Sequence, residues 1–403
     1  MKKRIQRFII TCITGAMLLT CTACNPTELE MSDSSAWDLQ LAMLKDKEVS
    51  ELPDRLNVKV TDALDINASI LIPEEKKDNE ASRLTMKRHI FSDDQMKENV
   101  LTLMKNGPFP QDPDKIERMV SGNAYEDKKE RMRYDLSVDT YSGVAGVADG
   151  MMLITNESAR LMDVLRFPFD DESVQFYYKE NQELDFGKWE DAWKCIKNVS
   201  DKCGIASITD MRCYALDQKT LQQCLDRRHE QGSDFYFKNT GNTPQYTKED
   251  EAYFFEFQQG YDGIPICKYQ LQQTLERQDF GYGTYAYGYA LYSNKGLINF
   301  EVSNLFDMEK AGKKQKIVPL SEVLDKSVSG LKNLIAGKTS AEIREISLCY
   351  LPVLKDAAKM KFEAEPVWVV AYIQTGIFAG ETPITMSESK YDVYNAFTGE
   401  KLY

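Results

Sequence analysis

The chain is 403 residues long, carries 50 basic and 63 acidic side chains for a formal charge of −13, and is 42% hydrophobic. That length suits two or three domains with ordinary cores, and the acidic balance argues against a nucleic-acid partner or a body lying flat on anionic lipid. With only His89 and His229 in the whole chain, histidine-based triads and metal sites have little to draw on, and no GxSxG, HExxH or phosphate-cradling loop is present.

In chain order, "MKKRIQR" is a basic head, and the apolar and small residues of "FIITCITGAMLLTCTA" follow it, ending against Cys24. This is the pattern of an export signal over residues 1–23, and the run is shorter than the ~20 apolar residues of a comfortable membrane span. With Cys21 and Cys24 at its end, the segment resembles a bacterial lipoprotein precursor. The resemblance implies a diacylglyceryl thioether on the new N-terminal cysteine and a place on the outer face of the cytoplasmic membrane. Cys24 is favoured, because small Ala23 adjoins the bond to be cut, whereas Thr20 adjoins the alternative, Cys21. Ordinary secretion with cleavage after Ala23 is the remaining possibility. Loss of the four basic residues of the signal leaves 46 basic against 63 acidic residues, a charge of −17. Residues 24–50 then form a polar tether, beginning with the acidic "NPTELEMSDSS".

Residues 51–170 read as an N-terminal α+β domain. Leu64, Ile66, Ala68, Ile70 and Ile72 alternate with mostly polar neighbours, predicting a half-buried strand that stops at Pro73. "LTMKRHIF" predicts a second strand. Ser92 and Gln95 form a capping box for a helix bearing Met96, Val100, Leu103 and Met104, closed by Gly107 and Pro108. A charged helix over 113–131 and strands near 132–139 and 150–155 complete the unit. Residues 171–247 form a connecting region, in which Trp189, Trp193, Ile196 and Val199 mark an amphipathic helix ending at Gly204. A strand over 206–216, a short helix from Gln218 and a polar, turn-rich stretch follow.

From 248 the order is sheet, helix, sheet. "EAYFFEFQQ" is a strand, "YDGIPI" turns into another, and a hairpin reverses around Ser293–Gly296. Val323, Leu324, Val328, Leu331, Leu334 and Ile335 give one helix an apolar stripe, and three strands end the chain. Val367 to Ile373 is apolar on both faces, which predicts an interior strand. Tyr285, Tyr287 and Tyr289 share one face of a strand. Covering a core is the favoured reading, and an exposed row that grips a sugar ring or a peptide is the alternative. The six cysteines beyond Cys24 lack metal-ligand spacing and read first as buried small hydrophobes, then as disulfide partners.

The order of "YDGIPI", hairpin, helix, "EIREISLCYLPV", "EPVWVVAY" and "YNAFTGE" resembles the YycI/PepSY-like modules of Gram-positive cell-surface proteins over residues 248–403. Pro366, Val367, Trp368, Asn395, Ala396 and Gly399 stand where such modules pair a Pro-Val-Trp strand with a strand ending in an Asn-Ala turn. The whole chain resembles uncharacterised lipoproteins with this C-terminal module. The resemblance implies an α+β protein whose C-terminal antiparallel sheet carries a packed helix. It implies a non-enzymatic role, with no cofactor, metal or catalytic residue, in binding or regulating another envelope protein or peptide. Glycan or solute capture by the tyrosine row is the alternative.

Overall fold

The computed structural model describes residues 33–402 except 46, 74, 109–123, 128–130, 139–140, 148–150, 162–163, 166–177, 206, 231–244, 270, 272–285, 336–338, 357–358 and 379–383. The signal, Cys21, Cys24 and Tyr285 therefore lie outside the described residues, as does the side chain of Met96. The first half contains α1 (Asp33–Leu44), β1 (Arg55–Thr61), β2 (Leu64–Leu71), β3 (Glu80–Ala81), β4 (Leu84–Arg88) and α2 (Asp93–Asn106). Next come β5 (Ala124–Asp127), β6 (Arg131–Val138), β7 (Tyr141–Val147), β8 (Met151–Thr155), α3 (Asn156–Ala159), β9 (Lys179–Glu180), α4 (Trp189–Lys202), β10 (Ile208–Leu216) and α5 (Gln218–Glu230). The second half has β11 (Ala252–Tyr261), β12 (Ile264–Pro265), β13 (Tyr287–Ser293), β14 (Gly296–Ser303), β15 (Phe306–Ala311) and β16 (Gln315–Lys316). It closes with α6 (Leu320–Leu334), β17 (Ser340–Asp356), β18 (Lys361–Phe378) and β19 (Ile384–Asn395). The class is α+β, as the alternation of periods in the sequence implies.

These strands form two large sheets. The first has seven strands in the order β1-β2-β17-β18-β4-β15, with β19 also paired to β18. Its pairs are antiparallel except β2 with β17. Strand β18 is interior, as its two apolar faces require: β17 lies along one side, and β4 and then β19 take up the other. Helices α1 and α6 cover one face, where Trp37, Leu44, Val323, Leu324, Val328 and Leu331 pack on Ile66, Ile346, Leu348, Trp368 and Val370. On the other face Cys349, Leu351, Val367, Val369 and Val393 meet Cys267, Tyr269 and Leu271.

The second sheet has ten strands, ordered β5-β6-β7-β8-β14-β13-β11-β10-β9 with β12 beside β11. Helices α2 and α4 cover one face, their Val100, Leu103, Ile196 and Val199 packing on Phe255, Phe257 and Phe300. Leu221, Cys224 and Leu225 of α5 cover the other, against Tyr214, Phe254, Tyr287 and Tyr289.

The division into 51–170, 171–247 and 248–403 does not match this pairing. The first sheet joins β1, β2 and β4 to β15 and β17–β19, while β5–β14 build the second. The second unit is thus inserted into the first, and strands distant in sequence close each core. Two local readings also change. The 24–50 tether is helical from Asp33, because Trp37 and Leu44 bury against the first sheet. The expected helix over 113–131 contains strand β5, whose hydrogen bonds go to β6, and its residues 113–123 and 128–130 lie outside the described residues.

Candidate functional site

Helix α4 buries Ala192, Ile196 and Val199. Trp189 and Trp193, one turn apart on the adjoining stripe, remain half-buried. The ring of Trp193 stacks on Phe255 at 5.8 Å between centroids, so the sheet fixes its orientation. Trp189, Trp193 and Lys197 form one wall of a cleft of about 710 Å³ between the two sheets. The end of β2 and the two residues after it, from Ser69 to Pro73, line the same cleft with Asp54, Arg55 and Glu75. Strand β10 contributes Ile208, Thr209, Met211, Arg212 and Cys213, and exposed Glu180 and Asn181 complete the lining. This volume falls within the ~300–1,000 Å³ typical of ligand pockets.

The lining combines apolar surface with charges of both signs. Arg55 is held by Asn67, whose Oδ1 accepts from Nη2 at 2.6 Å and from Nε at 3.1 Å. Lys197 pairs with Asp201 at 2.9 Å. Burial pushes the Cys213 thiol far above the ordinary thiol range, which suppresses the thiolate a nucleophile requires. Among the described residues, β1 and β9 end the strand orders of their sheets, and both contribute to the lining through Arg55 and Glu180. Such edges carry main-chain donors and acceptors that a further strand can satisfy.

The two histidines lie elsewhere. His89 Nδ1 is 2.7 Å from Asp307 Oδ1, and its ring packs edge-on against Phe91. Among the described residues no hydroxyl or thiol hydrogen-bonds its Nε2. His229 is exposed at the end of α5. No three His, Cys, Asp or Glu side chains converge as metal ligands among the described residues, and no helix there is long and apolar enough to cross a membrane.

Tyr287 and Tyr289 cover a core, the reading favoured from the sequence, and their burial overturns the alternative of an exposed row at these two positions. Tyr287 and Tyr289 are 5% and 2% exposed, and their hydroxyls donate to Glu256 and Glu301. Tyr289, at 2.8 Å from Glu301, and its neighbours pack under α5, while Gly288 on the opposite face makes room for Phe257. Tyr285 lies outside the described residues. Pro366, Trp368, Asn395 and Gly399 are engaged structurally. The Pro366 carbonyl accepts from Ala396 N at 3.0 Å, and Trp368 Nε1 donates to Val318 O at 3.3 Å. Asn395 Oδ1 accepts from Phe397 N at 2.9 Å and Thr398 N at 3.2 Å, an Asx turn that Gly399 completes at φ +66°. Five of the six downstream cysteines are buried, Cys195 is half-buried, and in this structure none of the six is bonded to another.

The cleft escapes sequence reasoning because Trp189 and Trp193 share the period of the buried stripe. Two large aromatics beside a stripe already filled by Ala192, Ile196 and Val199 are the signal that exists.

No family model matches the chain, and no curated protein matches it. Among solved structures, an uncharacterized protein from Eubacterium rectale is similar, with a TM-score of 0.69 and 19% identity over 91% of this chain and 98% of that one. That likeness extends over both sheets and shows a shared fold.

Proposed function

We propose that the chain is a lipid-anchored extracytoplasmic protein that acts without catalysis, holding an extended segment of another envelope protein or peptide in the cleft between its sheets. The observation that carries this reading is the meeting of two edge strands, two half-buried tryptophans and charges of both signs around one cavity. An extended peptide offers a matching set: main-chain groups for a strand edge, apolar side chains for the two tryptophans and charged side chains for Arg55, Glu180 and Lys197. The lipoprotein-like front end supports the location, and the resemblance of residues 248–403 to YycI/PepSY-like modules supports a regulatory partner.

Fluorescence is the direct test, because Trp37 and Trp368 are buried while Trp189 and Trp193 line the cleft. Peptides tiled from the exposed segments of envelope proteins should include sequences that shift the emission. Trp193→Ala should weaken their binding roughly tenfold, the effect of losing about 1.4 kcal/mol of aromatic contact. Cell-wall oligosaccharides that shift the emission where no peptide does would overturn the peptide reading.

A further inference from the structure

The strip from Gly260 to Cys267 joins the two sheets. Strand β12 pairs with β11 of the ten-stranded sheet, and the next residue, Ile266, bridges to Tyr350 of β17 in the seven-stranded sheet. Cys267 N–H then donates to Tyr350 O at 2.8 Å. This seam adjoins the cleft, since Gly260 abuts Thr209 and Gly263 abuts Glu75, both of which line it.

Two cysteines stand on the seam. Cys267 and Cys349, the residue before Tyr350, belong to one apolar cluster with Tyr269, Leu351, Val367 and Val369, and are 0% and 2% exposed. Their side chains are in hydrogen-bond contact, and no other cysteine belongs to this cluster. Cys195, Cys203 and Cys213 pack around the α2–α4 face and Cys224 under α5.

We propose that Cys267 and Cys349 form a disulfide that crosslinks the seam between the two sheets. Buried thiols are poor reactants, so the bond forms while the chain folds and the seam is still open. One thiolate attacks the disulfide of an oxidant, either oxidised glutathione or a thiol–disulfide oxidoreductase, giving a mixed disulfide and releasing one thiol. The second cysteine then attacks that mixed disulfide and releases the other. The two protons the cysteines give up are matched by the two that the released thiolates take up, and two electrons pass from the cysteine sulfurs to the two sulfurs of the oxidant. Neither the acyl anchor nor a cleft ligand takes part, so the bond stands or falls independently of both.

The test uses the full wild-type chain, refolded in a mixture of oxidised and reduced glutathione, quenched with acid, and alkylated in denaturant without reductant. Peptide mass spectrometry should find the Cys267 and Cys349 peptides joined, two hydrogens lighter than their sum, with Cys195, Cys203, Cys213 and Cys224 alkylated. Alkylation of both Cys267 and Cys349, or their linkage to other cysteines, overturns the proposal. As a second readout, dithiothreitol should lower the Tm of the refolded wild type by about 5 °C. The Cys267→Ser/Cys349→Ser variant should melt at one temperature with or without it, and an equal fall in that variant also overturns the proposal.

Discussion

At Gly263 the backbone takes φ +72°, and a Cβ there would stand 2.8 Å from Lys76 N. Gly263→Ala should therefore cost about 1–3 kcal/mol, read as a lower urea midpoint at unchanged slope. Gly330, within α6, has nothing within 4 Å of the same added atom. Gly330→Ala should stabilise by about 0.5–1 kcal/mol, because only the helix-propensity difference remains. Beside Gly263 a charged knot alternates in sign: buried Lys76 lies 2.6 Å from Asp78 and 3.8 Å from Asp262, and Lys314 contacts both carboxylates. The Lys76 hydrogen bond holds Asp78 down at about 2, below its ordinary 3.8. A depressed carboxylate contributes stability above its unfolded value and loses it on acidification. The excess Tm of wild type over Asp78→Asn should thus be constant above about pH 4 and vanish as the pH falls through about 2. Half of the Asp78 side chain is exposed, so solvent screening keeps the effect small. Little of this was legible in the sequence, because "EEKKDNEASR" reads as a polar loop until Asp262 and Lys314 arrive from far along the chain.

Elements with a strong period were legible. The alternation of Leu64 to Leu71 gave β2, Ser92 and Gln95 cap α2 as their spacing requires, and the stripe from Val323 to Leu331 faces the sheet. Strand β7 was missed, since Gly143 and Gly146 lower its propensity, and it is held by β6 and β8 on either side. Period alone assigns a face and not a partner, so the parallel pairing of β2 with β17, which sets Leu64 against Ala341 some two thirds of the chain away, had no local signal. The same limit led to domains drawn as consecutive blocks. Where α6 meets β18, Trp368 is fully buried and its indole N–H is taken up by Val318. Trp368→Ala should cost about 3–5 kcal/mol by denaturant melts, through the cavity left in that layer. Trp368→Phe should recover most of the packing but leave the Val318 carbonyl without this donor, for a loss of about 1–3 kcal/mol.

For the molecule as a whole, attachment and folding should separate cleanly. Under the proposed lipid anchor, Cys24→Ala should move the protein from membrane to soluble fractions with its Tm unchanged, since the described residues begin at Asp33. Retention of that variant together with release of Cys21→Ala would place the lipid on Cys21 instead. The insertion also sets how the two lobes can shift. The chain leaves the first sheet after β4 and re-enters it at β15, and these strands are paired, Arg88 against Phe306. The Arg88 guanidinium lies 4.6 Å from the Phe306 ring and 5.3 Å from that of Phe362. A single covalent crossing would let one lobe spin on the other, whereas a hydrogen-bonded ribbon resists torsion, and the Gly260–Cys267 strip adds a third strap. Twisting one lobe against the other would have to break main-chain hydrogen bonds at the β4–β15 ribbon and at the Ile266–Tyr350 bridge together, so the gap between them keeps its lips in register.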